Sequence, residues 1–295
     1  MTESPLARPG SIIEETIEEI RKTLGSDLDA ITVERVVIGI FFTGVKLSDG
    51  SGGLCFTPIK EIPEAVCCPS SARAMPWPGR FTGRKAADYV CDLHRASPLQ
   101  RAVNIAILNA MSESCRKRRP DLFPGIVFGR DALETIPLPD EGYVVVVGAL
   151  VPVLRRLKAR EKPFGILELD LRTLKPDELP FAIPPGDAAA ALRRAEMLII
   201  TGTTLLNDTL EPLLAGARPG AVIAVVGPTA SLLPSAFFRR GVTVLGGDIV
   251  TDPDRLLDTI AEGGSGYHFF GKSAEKVNVI RPYPVDGHGT GPENR

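Results

Sequence analysis

The stretch YVVVVGAL, residues 143–150, decides the fold. A continuous apolar run closed by a glycine is what a strand buried on both faces requires. Pro152, just after Gly148, suits the first turn of a helix reaching to about Ala159. The same unit recurs downstream. FGILELDL (164–171), MLIITG (197–202), AVIAVVG (221–227) and VTVLGG (242–247) read as further strands. Helix-like text separates them, from Asp187 to Ala195, Leu205 to Ala215 and Pro234 to Arg240, and Asp254 to Ala261 follows. Strands alternating with helices at this spacing predict an α/β fold with a doubly wound parallel sheet. The strand C-terminal ends and the loops after them then gather on one edge.

Upstream the pattern differs. Ser11 followed by Glu14 is a capping-box signature. Ile13, Ile17, Ile20 and Leu24 share one helical face, and Gly25 marks the stop, so residues 12–24 are predicted helical. The β-branched and aromatic text that follows, punctuated by Asp49-Gly50 and Gly52-Gly53, predicts antiparallel strands at about 30–38, 39–47 and 52–58. Residues 61–83 are rich in Pro and Gly. Helices are expected from Arg84 to His94 and, with Pro98 in its first turn, from Pro98 to Arg116. The basic run ending at Arg119 reads as a solvated helix end complementing the dipole. The expected organisation is an α+β module over 1–119, a linker over 120–140, the parallel-sheet domain over 141–282 and a disordered tail over 283–295.

Among 295 residues, Lys+Arg number 34 and Asp+Glu 36, for a net charge of -2. No basic field exists to collect phosphate backbones, which speaks against nucleic acid as a partner. The first 20 residues lack a basic n-region and an apolar h-region. The longest apolar run, from Tyr143 to Leu154, is too short to cross a bilayer. The cysteines number five, an odd set that does not suggest a secreted disulfide framework. The expectation is a reduced, cytoplasmic protein without a membrane partner.

Candidate site residues concentrate in the strand-end loops. Gly148 allows a tight turn into a helix N-terminus, although the G-x-G-x-x-G dinucleotide fingerprint is absent. Glu168 and Asp170 fall about 20 residues on, where an acid can bond ribose hydroxyls. Thr201-Gly202-Thr203-Thr204 with Asn207, Gly227-Pro228-Thr229 with Ser231, and Gly246-Gly247-Asp248 end the next three strands. Taken singly, such residues are ordinary caps and turns. Together on one edge they predict a crevice for a carboxylate, a phosphate or another polar small molecule. Cys67, Cys68, Cys91 and His94 could supply soft metal ligands, since Cys91 and His94 share a helix face. Against this, vicinal cysteines fit one tetrahedral ion poorly, and free Cys often packs as a small hydrophobe. Cys55 and Cys115 read as core positions. Trp77, near Arg73 and Arg80, is either a cover over a crevice or a plug over the core. His268 is expected to pack, and Tyr267 and Lys272 are candidate crevice residues.

Four segments, PLQRAVNIAILNAMS, VVVVGALVPVLRRLK, LIITGTTLLNDTLEPLL and VVGPTASLLPSAFFRRGVTVLGG, together resemble the "putative heavy-metal chelation" family. The resemblance covers about residues 12–280 and implies an enolase-N-terminal-like module joined to a Rossmann-like domain, with a ligand site in the cleft between them. It implies a small molecule or metal ion as ligand, in metal homeostasis or metal-related metabolism. The cysteines at 67, 68 and 91 lie outside the family pattern, and enolase chemistry does not carry over. The alternative is an enzyme of small-molecule biosynthesis, such as that of a metallophore, using a nucleotide or S-adenosylmethionine. The oligomeric state is not legible in the sequence.

Overall fold

The structure is a computed structural model and describes residues 10–61, 77–90, 93, 96–130 and 132–282. Helix α1 (Ile12–Leu24) begins with the Ser11/Glu14 capping box. A three-stranded antiparallel sheet follows, β1 (Val33–Ile38), β2 (Phe42–Leu47) and β3 (Gly52–Phe56), in the order β1-β2-β3. Next come a short helix α2 (Ala86–Tyr89), the long helix α3 (Pro98–Arg118), strand β4 (Ile126–Phe128) and a helical turn α4 (Ala132–Thr135). Strands and helices then alternate: β5 (Val144–Val147), α5 (Val151–Arg160), β6 (Phe164–Leu167), α6 (Ala188–Arg194), β7 (Met197–Thr201), α7 (Leu210–Ala215), β8 (Val222–Val226), α8 (Ser235–Arg239) and β9 (Val244–Val250). Helices α9 (Pro253–Ala261) and α10 (Gly266–Phe269) and strand β10 (Ala274–Ile280) complete the chain's elements.

The second sheet has seven strands in the order β4-β10-β9-β8-β7-β5-β6. Strands β5 to β9 are mutually parallel, and β10 runs antiparallel to both β9 and β4. From β5 the chain steps to β6 on one side, then to β7 on the other. The switch point of this sheet therefore lies between the C-terminal ends of β5 and β7.

The four-valine run makes physical sense in this setting. Val144 and Val146 pack in a cluster with Val153, Leu154 and Leu157 of α5. Val145 and Val147 point the other way, into a cluster with Leu192 of α6, Leu214 of α7 and Phe237 of α8. Both faces are covered, so no polar alternation is possible. That second cluster continues into α1 and α3. Helix α3 is buried along nearly its whole length, including Asn104, Asn109 and Glu113, because β3 packs on it. The other side of the small sheet rests on α9, where Leu54 and Val37 meet Leu256, Leu257 and Ile260.

Some expectations need correction. The helix expected from Arg84 is only the turn Ala86–Tyr89 among the described residues. The stretch expected as a linker holds β4, which pairs with β10 through Val127 and Asn278. Strand β10 itself was not anticipated, and β9 runs on through its glycine pair to Val250. The basic residues ending α3 are paired rather than merely solvated: Arg116 with Glu113, Arg118 with Asp27 and Arg119 with Asp121. Residues 283–295, expected as a tail, lie outside the described residues. Among those described, no helix is long and apolar enough to cross a membrane.

Candidate functional site

Two cavities open at the strand C-terminal ends. The first, about 380 Å³, lies between the small sheet and the ends of β7, β8 and β9. Thr201, Gly202, Thr203, Gly227, Pro228 and Thr229 line it, as do Gly246, Gly247 and Asp248. Phe42 and Phe56 close it from the small sheet, and Arg130, Lys276 and Asn278 from the antiparallel edge.

The small sheet is clamped onto these loops by buried polar contacts. The Asn109 amide donates to the Leu54 carbonyl at 2.6 Å and to the Pro228 carbonyl at 3.1 Å. The Phe56 N–H donates to Thr229 Oγ1 at 3.1 Å. Arg101, also on α3, donates through Nε and a terminal nitrogen to the Leu205 carbonyl at 3.0 and 2.8 Å and pairs with Asp208. Helix α3 thereby holds the loops after both β7 and β8.

Asp248 is the chemically distinctive group. Its N–H donates to Ser231 Oγ at 2.8 Å, yet its side-chain Oδ2 is buried without a hydrogen-bond partner. Burial pushes its carboxyl up to about 8, and the Lys276 charge works in the opposite direction. A carboxyl at that value is mostly protonated at neutral pH and can donate a hydrogen bond. Lys276 stands opposite it in the β9–β10 register, on the same face, with its ammonium 5.6 Å from the Phe270 ring centre. Asn278 is held by donation to the Arg130 carbonyl at 2.8 Å.

The second cavity, about 310 Å³, sits at the switch point. Gly148, Glu168, Thr201, Thr203, Thr204 and Asn207 line it, with Leu167, Ile183 and Leu213. Gly148 has φ +94°, and a Cβ there would come within 2.7 Å of Thr201 Cγ2. Glu168 Oε1 accepts from the Asp170 N–H at 2.9 Å. Thr201 and Thr203 line both cavities, and their hydroxyls are 3.1 Å apart.

The expected residues thus divide between two cavities instead of forming one crevice. Asp170 lines neither: it caps a short 3-10 turn and pairs with Arg172 and Lys60. The Arg172 guanidinium, then Lys60, hold its carboxyl well below the usual carboxylate range. Tyr267 is 94% exposed, and neither it nor Lys272 lines either cavity. His268 is exposed instead of packed, because its Nδ1 accepts from the Ser265 N–H at 3.0 Å in a cap. Trp77 packs edge-on against Phe81 and Tyr89, over the core. Cys67, Cys68, Cys91 and His94 lie outside the described residues. Cys55 and Cys115 are buried, and burial pushes both thiols up to about 12. Among the described residues, no three His, Cys, Asp or Glu side chains converge to hold a metal ion.

Asp248, Lys276 and Asn278 were missed as a constellation. The Lys-x-Asn spacing in the mixed text AEKVNVI is the one local signal for the last two.

Comparison with known proteins agrees with this architecture. A crystal structure of a DUF364-family protein of unknown function from Pyrococcus horikoshii superposes with a TM-score of 0.71 at 17% identity, covering 92% of this chain and 100% of that one. A DUF364-family structure from Desulfitobacterium hafniense gives 0.68 at 18% identity, covering 91% of this chain and 100% of that one. These likenesses concern the fold. An uncharacterized protein of Methanocaldococcus jannaschii is 30% identical over 181 residues, which span 59% of this chain and 64% of that relative. Two family models, both described as "putative heavy-metal chelation", match residues 21–112 and 131–279. With the second model alone covering half of the sequence, the chain belongs to the DUF364 family, whose description is putative heavy-metal chelation.

Proposed function

We propose that the first cavity binds a small anionic, metal-chelating molecule, free or carrying its metal, in metal homeostasis or metal-related metabolism. The observation that carries this reading is Asp248, a buried carboxyl whose Oδ2 has no hydrogen-bond partner, in the lining of a cavity that Arg130 and Lys276 also line. Protonated, it donates to an oxyanion; the two cations in the lining attract one. In this reading the metal's donors come from the chelating molecule. This reading takes residues 1–119 as an enolase-N-terminal-like module and 141–282, with β4 added to its sheet, as a Rossmann-like domain, with the cavity in their cleft, in the cytoplasm. The separation of the two sheets supports that division.

The test is a thermal-shift and calorimetric titration with citrate, with nickel–citrate and zinc–citrate, and with the metal salts alone. Citrate or its complexes raise Tm, as any ligand of the native state must. Affinity falls as pH rises through about 8, where Asp248 ionises, and Asp248→Asn removes that pH dependence. A shift with bare metal salts and none with citrate overturns the chelate form. No response to any of them overturns the reading.

A second reading, an enzyme of small-molecule biosynthesis using a nucleotide or S-adenosylmethionine, draws on one observation. Gly148, Glu168 and Thr201 meet at the cavity of the switch point.

A further inference from the structure

We infer that the switch-point cavity is a binding site for a ribonucleoside without phosphate groups, its ribose diol held by Glu168. It deepens that second reading by naming the ligand class, and it stands apart from the first cavity, sharing only Thr201 and Thr203 with it. In open α/β sheets ligands bind where the strand order reverses, and this cavity occupies that place. At about 310 Å³ it has the size of a small-ligand site.

Three features select the ligand. Glu168 directly follows β6 at the rim, and the Asp170 N–H fixes its Oε1 at 2.9 Å. A carboxylate accepts from both hydroxyls of a cis-diol. Leu167, Ile183 and Leu213 supply the apolar walls that a flat base needs.

The third feature is the lack of a phosphate cradle among the described lining residues. A phosphate would normally be held by free N–H groups in the turn after the first strand. Here the Gly148 N–H donates to the Leu167 carbonyl and the Leu150 N–H to the Gly148 carbonyl, both at 2.9 Å. Pro152 has no N–H to give. No lysine or arginine is among the lining residues, and the single charged side chain is Glu168. A negative phosphate is repelled there, whereas a neutral or sulfonium-bearing nucleoside is not.

The test is calorimetry of the intact protein with adenosine, guanosine, cytidine and uridine, then with 2′-deoxyadenosine, AMP and S-adenosylmethionine. At least one ribonucleoside binds saturably at millimolar concentration or below. Taking adenosine as the example, its 2′-deoxy form and AMP each bind about tenfold more weakly or worse. Glu168→Gln weakens adenosine by a similar factor while leaving 2′-deoxyadenosine little changed. Ala188→Phe, which fills the cavity from its wall, abolishes binding with Tm retained. Asp248→Leu leaves adenosine binding intact, and Glu168→Gln leaves citrate binding intact, so the two cavities fail or succeed separately. No saturable ribonucleoside binding, equal affinity for the deoxy form, or AMP binding as tightly as adenosine overturns the inference.

Discussion

The two cavities share a wall of threonine hydroxyls and differ in how they treat charge. The first buries an acid. Asp248 sits in β9 with its Oδ2 unpartnered, and its carboxyl is pushed up to about 8. The second keeps its acid half-exposed and tethered by a backbone N–H, with no cation in its lining. The difference comes from what covers each one. The small sheet, held through Asn109 and Thr229, closes over the first. Among the described residues nothing comparable covers the second, where Leu169 is 85% exposed. A buried carboxyl costs stability when it ionises, and a site that tolerates this is a candidate for function.

Ways to break or sharpen this contrast follow in order of size. The largest effect is the pH dependence of stability. Asp248 moves from an ordinary value of 3.8 to about 8 on folding, so the folded state binds its proton more tightly. The resulting stability is fully present below about pH 4 and declines as pH rises toward 8, with a slope of at most about 1.4 kcal/mol per unit. Asp248→Asn flattens that decline. Denaturant titrations at a series of pH values check it, and an unchanged slope would place the carboxyl in solvent.

Next is Gly53→Val on β3. A Cβ at Gly53 would lie 2.1 Å from the Ala106 carbonyl oxygen and 2.4 Å from the Ala110 nitrogen. The small sheet must lift from α3, at about 3 kcal/mol or more. Citrate binding should disappear first. If adenosine binding survives, the two cavities belong to separable folding units. If it vanishes in step, the buried cluster shared by α1, α3 and the large sheet makes them one.

The smallest effect is Thr201→Val, which removes a hydroxyl from the shared wall while keeping its shape. It should cost about 1 kcal/mol of binding in each cavity. Calorimetry that shows a loss in only one would assign the hydroxyl to that one.

Much of the fold could be read from local pattern. The Val144–Val147 run, buried on both faces, forbids alternation and so announces itself. The Ser11/Glu14 box and the Ser97/Gln100 box set helix starts through contacts three residues apart. Other elements hid because their signals were mixed. Strand β10 sets two consecutive exposed residues, Glu275 and Lys276, before buried Val277 and Asn278, with no alternation to read, and β4 is three residues long. The Gly246-Gly247 pair reads locally as a turn. In the structure it continues β9, and glycine is needed there because a Cβ would crowd Asn278 Oδ1 at 2.9 Å and Ser231 Oγ at 2.7 Å.

The candidate site was legible only as a list of strand-end residues. The chain's own pattern determined the parallel strands, their order along the sequence and the gathering of hydroxyls and glycines at one edge, because periodicity and capping act over a few residues. The tertiary structure alone decided that those residues split between two cavities, that Asp170 is consumed by ion pairs, and that Asp248 is buried opposite Lys276. Those outcomes depend on strand register and on which surface covers which loop, and desolvation is a property of the surroundings rather than of the residue.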